Sequence, residues 1–431
     1  MTAFKKILFI LVLLLMLIPF IQNRLLRISE KPLRGMYQFS EKPELKLFTW
    51  AGWFSGEFQE KLRKSTEDNI GFKKTLIRIF NQIDFSLFKL IHAEGFIAGK
   101  KDFLFEEDYI HEYTGKYFIG KETINKKLSR LKEVQQELKS RGTTLLLVLE
   151  PGKASFYPEF IPSRYHPENR SLTNYDYLRE RALQLELEYL DLNRYFLSLK
   201  DTSRYPIFSK YGMHWSIFGV YHAIDTISRH IEANMNTVLP GMQIIELVIS
   251  DQSRGSDYDI GEMMNVIFRL PATRCAYPEV RFDTSRIMRR LSVLVIADSY
   301  YLNIVDDYGK NLFRKQQYWY YNNRLYPFQD DVPPTYVDKT NLMEKLAGYD
   351  VILLMTSEIN LHCGFWNFAD EAWLAFHPDE KEDPVYRIEN EIRNERSWFR
   401  FLVRRAEIER VPLETMIRQN AEYVYYSGQN R

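Results

Sequence analysis

Apolar residues recur every three to four positions at Ile124, Leu128, Leu131, Val134 and Leu138. That is the period of a helix with one buried face, and Gly142 supplies a C-terminal stop. The next stretch, TTLLLVL, is apolar without alternation, as are LSVLVIAD and YDVILLMTSE further on. Strands of that kind are buried on both faces, as in a parallel sheet covered by helices. A second helical stretch, 175–187, leads into the short strand EYLDL, and Val220, Ile224, Ile227 and Ile231 mark one face of a third. Alternating strands and helices predict an α/β domain of three layers, α/β/α, with a parallel sheet, placed at 46–375. Residues 48–88 predict amphipathic helices rich in aromatic and basic side chains. GKKDFLFEEDYIHEYTGK predicts a loop, a short strand and a turn. The last fifty-odd residues, 376–431, predict a C-terminal extension of two polar helices.

The N-terminus follows another pattern. Lys5 and Lys6 precede an unbroken apolar run from Ile7 to Leu17, and Pro19 then interrupts it. The run is short for a spanning helix, which needs about 20 residues, and long enough for the apolar region of a signal sequence. No small-x-small cleavage site follows. Residues 1–22 are therefore expected to be an uncleaved signal anchor, with a cleaved signal as the alternative, and 23–45 a polar, basic linker. Arg24, Arg27, Lys31 and Arg34 follow the run, so a count of flanking positive charge places the body in the cytoplasm.

Composition narrows the choice of partners. In 431 residues, 58 Lys plus Arg face 57 Asp plus Glu, a balance that offers no electrostatic footprint for nucleic acid. With 45% hydrophobic and 15% aromatic residues the chain can bury a sizeable core. Cys275 and Cys363 are the only cysteines, which is no disulfide framework. Nothing in the sequence calls for a cofactor or a metal. The adjacent His362 and Cys363 lack a partner at ligand spacing. GKYFIGKE has the glycines and lysine of a phosphate loop but ends in Glu122, where Ser or Thr would hold magnesium. No serine lies in a G-x-S-x-G elbow.

Chemistry in an open α/β sheet gathers at the carboxyl ends of strands. Ser299 stands there, after SVLVIA and Asp298. Two readings of it stand: a helix N-cap, or a nucleophile whose turn points backbone N–H groups at an oxyanion. His214, beside Trp215, precedes a helix that Ser216 can cap. It is either a packed histidine or the base that takes the Ser299 proton.

The order GKKDFLF (99–105), LLLVLEPGKASFYPEFIP, YLDL, GMHWSIFG and VLVIADSYY resembles the AlgJ/AlgX-type family of SGNH-hydrolase-like proteins, which O-acetylate bacterial exopolysaccharides. Lys153, Tyr157 and Pro158 match one family block, His214 and Trp215 a second, and Asp298, Ser299 and Tyr300 a third, in which Ala297 replaces glycine. The resemblance implies that Ser299 is the nucleophile, forming an acetyl-enzyme, and His214 the general base. It implies a polysaccharide acceptor, a membrane-bound O-acyltransferase (MBOAT) partner as acetyl source, and a body in the periplasm, anchored in the inner membrane, against the charge count above. Trp215 and Tyr300, flanking the pair, are candidates for contact with sugar.

One position departs from the family pattern: Gly212 stands where an aspartate would orient the imidazole. Three explanations stay open. Another acid serves, with Glu358 after VILLMTS as the first candidate; Asp298 is a poorer one, because its side chain should point away from that of Ser299. Alternatively a carbonyl or water holds the ring in a working dyad. Or the site is dead, and the protein is an anchored glycan-binding scaffold. A carbohydrate acetyl-esterase would use the same nucleophile and base.

Overall fold

A computed structural model describes residues 3–22, 28–35, 49–68, 70–271, 273–285, 289–329 and 332–429. Most of the predicted 23–45 linker lies outside the described residues. In chain order the helices are α1 (Ala3–Ile21), α2 (Trp50–Phe54), α3 (Glu57–Asp68), α4 (Lys73–Phe88), α5 (Glu107–Tyr113), α6 (Lys121–Ser140), α7 (Lys153–Phe156), α8 (Asn174–Gln184), α9 (Leu192–Leu199) and α10 (Ile217–Met235). They continue with α11 (Asp259–Met263), α12 (Leu302–Ile304), α13 (Lys310–Leu312), α14 (Leu342–Ala347), α15 (Phe368–Phe376), α16 (Pro384–Asn394), α17 (Arg396–Glu409) and α18 (Leu413–Gln429). The strands are β1 (Phe96–Ala98), β2 (Leu104–Glu106), β3 (Thr144–Glu150), β4 (Tyr189–Asp191), β5 (Gly241–Ser250), β6 (Cys275–Asp283), β7 (Ser292–Ala297), β8 (Lys315–Tyr320), β9 (Arg324–Leu325) and β10 (Val351–Ser357). The chain forms two compact units, residues 1–98 with 259–271, and residues 99–258 with 272–431.

The larger unit is built on a six-stranded sheet in the order β4-β3-β10-β7-β8-β9. The first five strands are mutually parallel, and the short β9 runs antiparallel to β8. The sheet is therefore mixed, which corrects the expectation of a parallel one. The reason is local: Tyr321 and Asn322 adopt positive φ after β8, and so tight a turn can return the chain only antiparallel. A separate antiparallel pair, β5 with β6, has no counterpart in the sequence reading, because the connection between its strands is far too long for a hairpin signal.

The three apolar runs occupy the middle of the sheet, and β7 and β10 are buried at every residue. All five periodic residues of α6 are buried, as are Val220, Ile224, Ile227 and Ile231 of α10. Gly142 has φ +84°, and the chain after α6 turns back through the Thr143 N–H to Leu138 carbonyl bond of 3.0 Å. The predicted turn after the 104–106 strand is instead α5. The C-terminal segment holds three helices, because Glu395 leaves helical geometry and its carboxylate caps the Ser397 and Trp398 amides. These helices are not peripheral: Ile392, Phe399, Leu402 and Ile417 share one core with Leu128, Leu131 and Leu354.

The smaller unit contains the predicted amphipathic helices α2 to α4 and the apolar α1. Among the described residues no helix is long and apolar enough to cross a membrane.

Candidate active site

Parallel strands deliver their carboxyl ends to one edge, and that edge is lined with acids. Asp191 ends β4, Glu150 ends β3, and Asp298 follows β7. Register sets Ser357 of β10 beside Glu150. Asp298 is fully buried. Its Oδ1 accepts from the Tyr300 amide at 3.0 Å. Its Oδ2 accepts from the Ser357 amide at 3.0 Å, the Ser357 hydroxyl at 2.6 Å and the Asn360 side-chain amide at 2.8 Å. Asp298 therefore caps the short helical turn Ser299–Tyr301 and binds it to the end of β10. It does not orient His214, and the position adjacent to Ser299 explains why: the two side chains diverge. Burial, then the neighbouring Asp298, pushes the Glu150 carboxyl well up.

Ser299, half-buried, projects from this braced turn. His214 Nε2 lies 2.8 Å from its Oγ, within the reach a nucleophile and its base require. The chain separation is 85 residues, and α10 packs against α12, just beyond the Ser299 turn.

The loop carrying His214 is held at several points. Ser216 caps α10 through the Gly219 amide at 2.9 Å, and its own amide donates to the Ile207 carbonyl at 2.9 Å. Lys153, at the start of α7 and 1% exposed, donates to the carbonyls of Lys210 at 3.0 Å and Gly212 at 2.6 Å. The Lys210 carbonyl also accepts from the Leu104 amide at 3.0 Å. Tyr300 places its ring edge-on to His214 and Trp215, with centroids 5.0 and 4.9 Å away, and its hydroxyl accepts from Tyr109 at 3.2 Å. Tyr300 and Trp215 are each about 1% exposed or less. The Tyr300 ring packs the histidine and the Trp215 ring packs against Tyr300; neither forms an open stacking surface for sugar, because both are buried.

The fold leaves no room for a side chain at Gly212. A Cβ on Gly212 would lie 2.1 Å from the Ser256 carbonyl oxygen and 2.4 Å from Ser209 Oγ. Ser209 Oγ already accepts from the Gly212 amide at 2.7 Å. The turn Gly255–Tyr258 fills the space an aspartate side chain would use, and Asp257 of that turn accepts from the Ile217 amide at 3.2 Å, at the first residue of α10.

Glu358 is not brought to the imidazole. It stands at the end of β10, between β3 and β7, and turns toward the β3 side. There it accepts from the Ser155 hydroxyl and the Gly152 amide. Burial pushes its carboxyl up to about 7, although these hydrogen bonds pull the other way. Its work is to anchor the start of α7, and with it Lys153.

Two further groups have no sequence signal. Glu106 of β2 is bound by Arg396 of α17 at 2.5 Å, and Asp108 by Arg396 at 2.8 Å and Arg400 at 2.6 Å. Burial raises the Glu106 carboxyl, while Arg396 and, more weakly, His214 favour its charged form. Only the arrival of a C-terminal helix creates this network. His362, by contrast, is a core residue: its ring stacks on Phe399 at 4.1 Å, and burial pushes its pKa down to about 4. Cys275 and Cys363 are free and buried. Among the described residues no group of His, Cys, Asp and Glu could hold a metal ion.

Residues 96–257 match the family model for the SGNH hydrolase-like domain of the acetyltransferase AlgX. The resemblance seen in the sequence is thereby borne out for that segment, which includes His214 but ends before Ser299. No curated protein matches the chain. Among solved structures, the O-acetyltransferase domain of Pseudomonas putida AlgJ aligns at 16% identity, covering 62% of this chain and 92% of that one, with a TM-score of 0.41. Bacillus cereus PatB1 with a sulfonyl adduct aligns at 12% identity over 63% of this chain and 97% of that one, at 0.42. Pseudomonas aeruginosa AlgX aligns at 13% identity over 62% of this chain and 57% of that one, at 0.37.

Three outcomes are expected from this geometry. Asp298→Asn sets an amide against converging donors and lowers stability by about 3 kcal/mol, read as a shift in the urea midpoint. Gly212→Asp does not improve the site. It destabilises by roughly 1–3 kcal/mol through overpacking, and a gain in Ser299 reactivity would show that the glycine is a defect. The third concerns pH. The Glu358 carboxyl is raised from 4.5 to about 7 in the fold, so the native state keeps a proton that the unfolded chain releases. Its contribution to stability is complete below the lower value and is lost as pH rises through the upper one. Urea midpoints should fall across that window, and Glu358→Gln should flatten part of the fall. Glu112, raised to about 8 chiefly by burial, carries the fall to higher pH, and the raised Glu150 and Glu106 act in the same direction.

Proposed function

We propose that this protein is an O-acetyltransferase that moves an acetyl group through Ser299 onto a hydroxyl of an extracellular polysaccharide. The observation that supports the reading most directly is the 2.8 Å approach of His214 Nε2 to Ser299 Oγ, on a turn braced at the carboxyl edge of the sheet. Ser299 Oγ attacks the acetyl carbonyl carbon while Nε2 takes its proton. The tetrahedral oxyanion is met by the Ser299 amide at the start of its helical turn. Collapse breaks the bond to the donor's leaving group, which receives the proton from Nε2, and leaves acetyl on Oγ. A sugar hydroxyl then gives its proton to Nε2 and attacks the acyl carbon. Ser299 leaves, recovering the proton, and the sugar carries the acetyl ester.

In this reading the imidazole is held by packing against Tyr300 and by the clamped loop, with Lys153 drawing in the carbonyls of Lys210 and Gly212. The acetyl source is an MBOAT-type membrane acyltransferase, and residues 1–22 anchor the protein at the bacterial inner membrane with its body in the periplasm. The step needs no cofactor.

Incubation of the protein with p-nitrophenyl acetate should place acetyl on Ser299, mapped by mass spectrometry of peptides. Ser299→Ala should abolish the label, and His214→Ala should slow its appearance by about 10²–10⁴-fold, the usual contribution of a general base. A folded protein that takes up no acetyl at Ser299 would remove the enzymatic reading and leave glycan binding by the same fold.

A further inference from the structure

We propose that α4 lies in the plane of a lipid bilayer surface, with its apolar face in the boundary between headgroups and acyl chains; the inference rests on the membrane-anchored reading above. Leu76, Ile79, Phe80, Ile83 and Leu87 of α4 are 39% to 70% exposed. At the α-helical pitch they fall within an arc of about 100°, the width of an ordinary core-facing stripe. Here the stripe faces outward. The opposite side of the helix is the one the fold covers: Phe85 is 5% exposed, and buried Asn81 donates to the carbonyls of Met264 and Asn265 at 2.9 and 3.3 Å. A helix that turns its polar contacts inward and its leucines outward is inverted for water and suited to an apolar medium.

The occupant follows from what α4 is joined to. Its start is locked to the end of α1. A Cβ on Gly71 would lie 2.0 Å from the Pro19 carbonyl oxygen, and the Phe72 amide donates to Gln22 Oε1 at 3.1 Å. Thr75 adds two bonds to Glu30, from its amide at 2.8 Å and its hydroxyl at 2.7 Å. From Ile7 to Ile18 every side chain of α1 is an exposed large hydrophobe, so this helix has no polar face to offer water. An apolar stripe fixed to the base of such a helix meets the same medium. Charge agrees: between positions 73 and 90 stand Lys73, Lys74, Arg78 and Lys89 against the single acid Asp84, an excess that favours anionic headgroups. None of the five stripe residues is charged.

The test uses the full chain with Ile83→Cys, labelled with the environment-sensitive dye NBD and mixed with vesicles of phosphatidylethanolamine and phosphatidylglycerol. The native cysteines are buried, and the unsubstituted chain treated alike sets the background. The expected result is flotation with the vesicles, a blue shift of NBD emission, and its quenching by lipids brominated on their acyl chains. Adding Leu76→Glu and Phe80→Glu should return the dye to a water-like spectrum while flotation persists. Flotation with a water-like dye in the Ile83→Cys chain would overturn the proposal and leave the anchored reading standing. Failure to float would overturn both. A blue-shifted dye that brominated lipid does not quench would assign the face to a protein surface, a second copy included, and overturn it as well.

Discussion

The carboxylate of Asp298 is the point on which the candidate site depends. It accepts from the amide of the turn that presents Ser299 and from groups at the end of β10. It thereby makes two strand ends behave as one rigid edge. A buried carboxylate is costly to hold unless its oxygens are satisfied, and four donors satisfy this one. The serine gains a fixed direction because its neighbour is fully committed elsewhere. Tyr318 adds to the brace by donating to the Asp298 carbonyl at 2.5 Å.

The loop that brings His214 to the serine has supports of its own. In a triad the imidazole is held through its own second nitrogen by a carboxylate. Here the Gly255–Tyr258 turn closes the space for a side chain at Gly212, and the loop around His214 is secured through its backbone. Lys153 draws two carbonyls together, Ser216 caps the following helix, and Tyr300 packs edge-on to the ring. Glu358, by fixing Gly152 and the Ser155 hydroxyl, steadies the lysine that does this. The loop that carries the base is thus held by backbone contacts from α7, α10 and β2.

The same economy of contacts extends to the C-terminal helices. Arg396 and Arg400 bring positive charge to Glu106 and Asp108, and Tyr117 donates to Asp108 at 2.7 Å. The helices that complete the apolar core therefore also neutralise the acids around α5, near His214. A segment that reads as a polar appendage in sequence is part of the core and pairs the acids of β2 and α5.

Much of this was legible from the chain alone. Uninterrupted apolar runs predict buried strands because a strand covered on both faces has no polar side to show, and β3, β7 and β10 follow that rule. Helical periodicity located α6 and α10 because each turns one face to the core. Ser299 at a strand end and His214 before a capped helix were candidates for the same local reasons. Tertiary structure alone decided the rest. Whether the two side chains meet depends on how the helix after His214 packs against α12, just beyond the Ser299 turn. Which acid serves which partner depends on the side of β10 to which a side chain turns, and Glu358 turned toward β3. The need for glycine at 212 comes from a carbonyl more than forty residues away, and the outward face of α4 from what the rest of its unit leaves uncovered. Sequence encodes periodicity and turn chemistry over a few residues; contacts between distant segments arise only when the whole chain has packed.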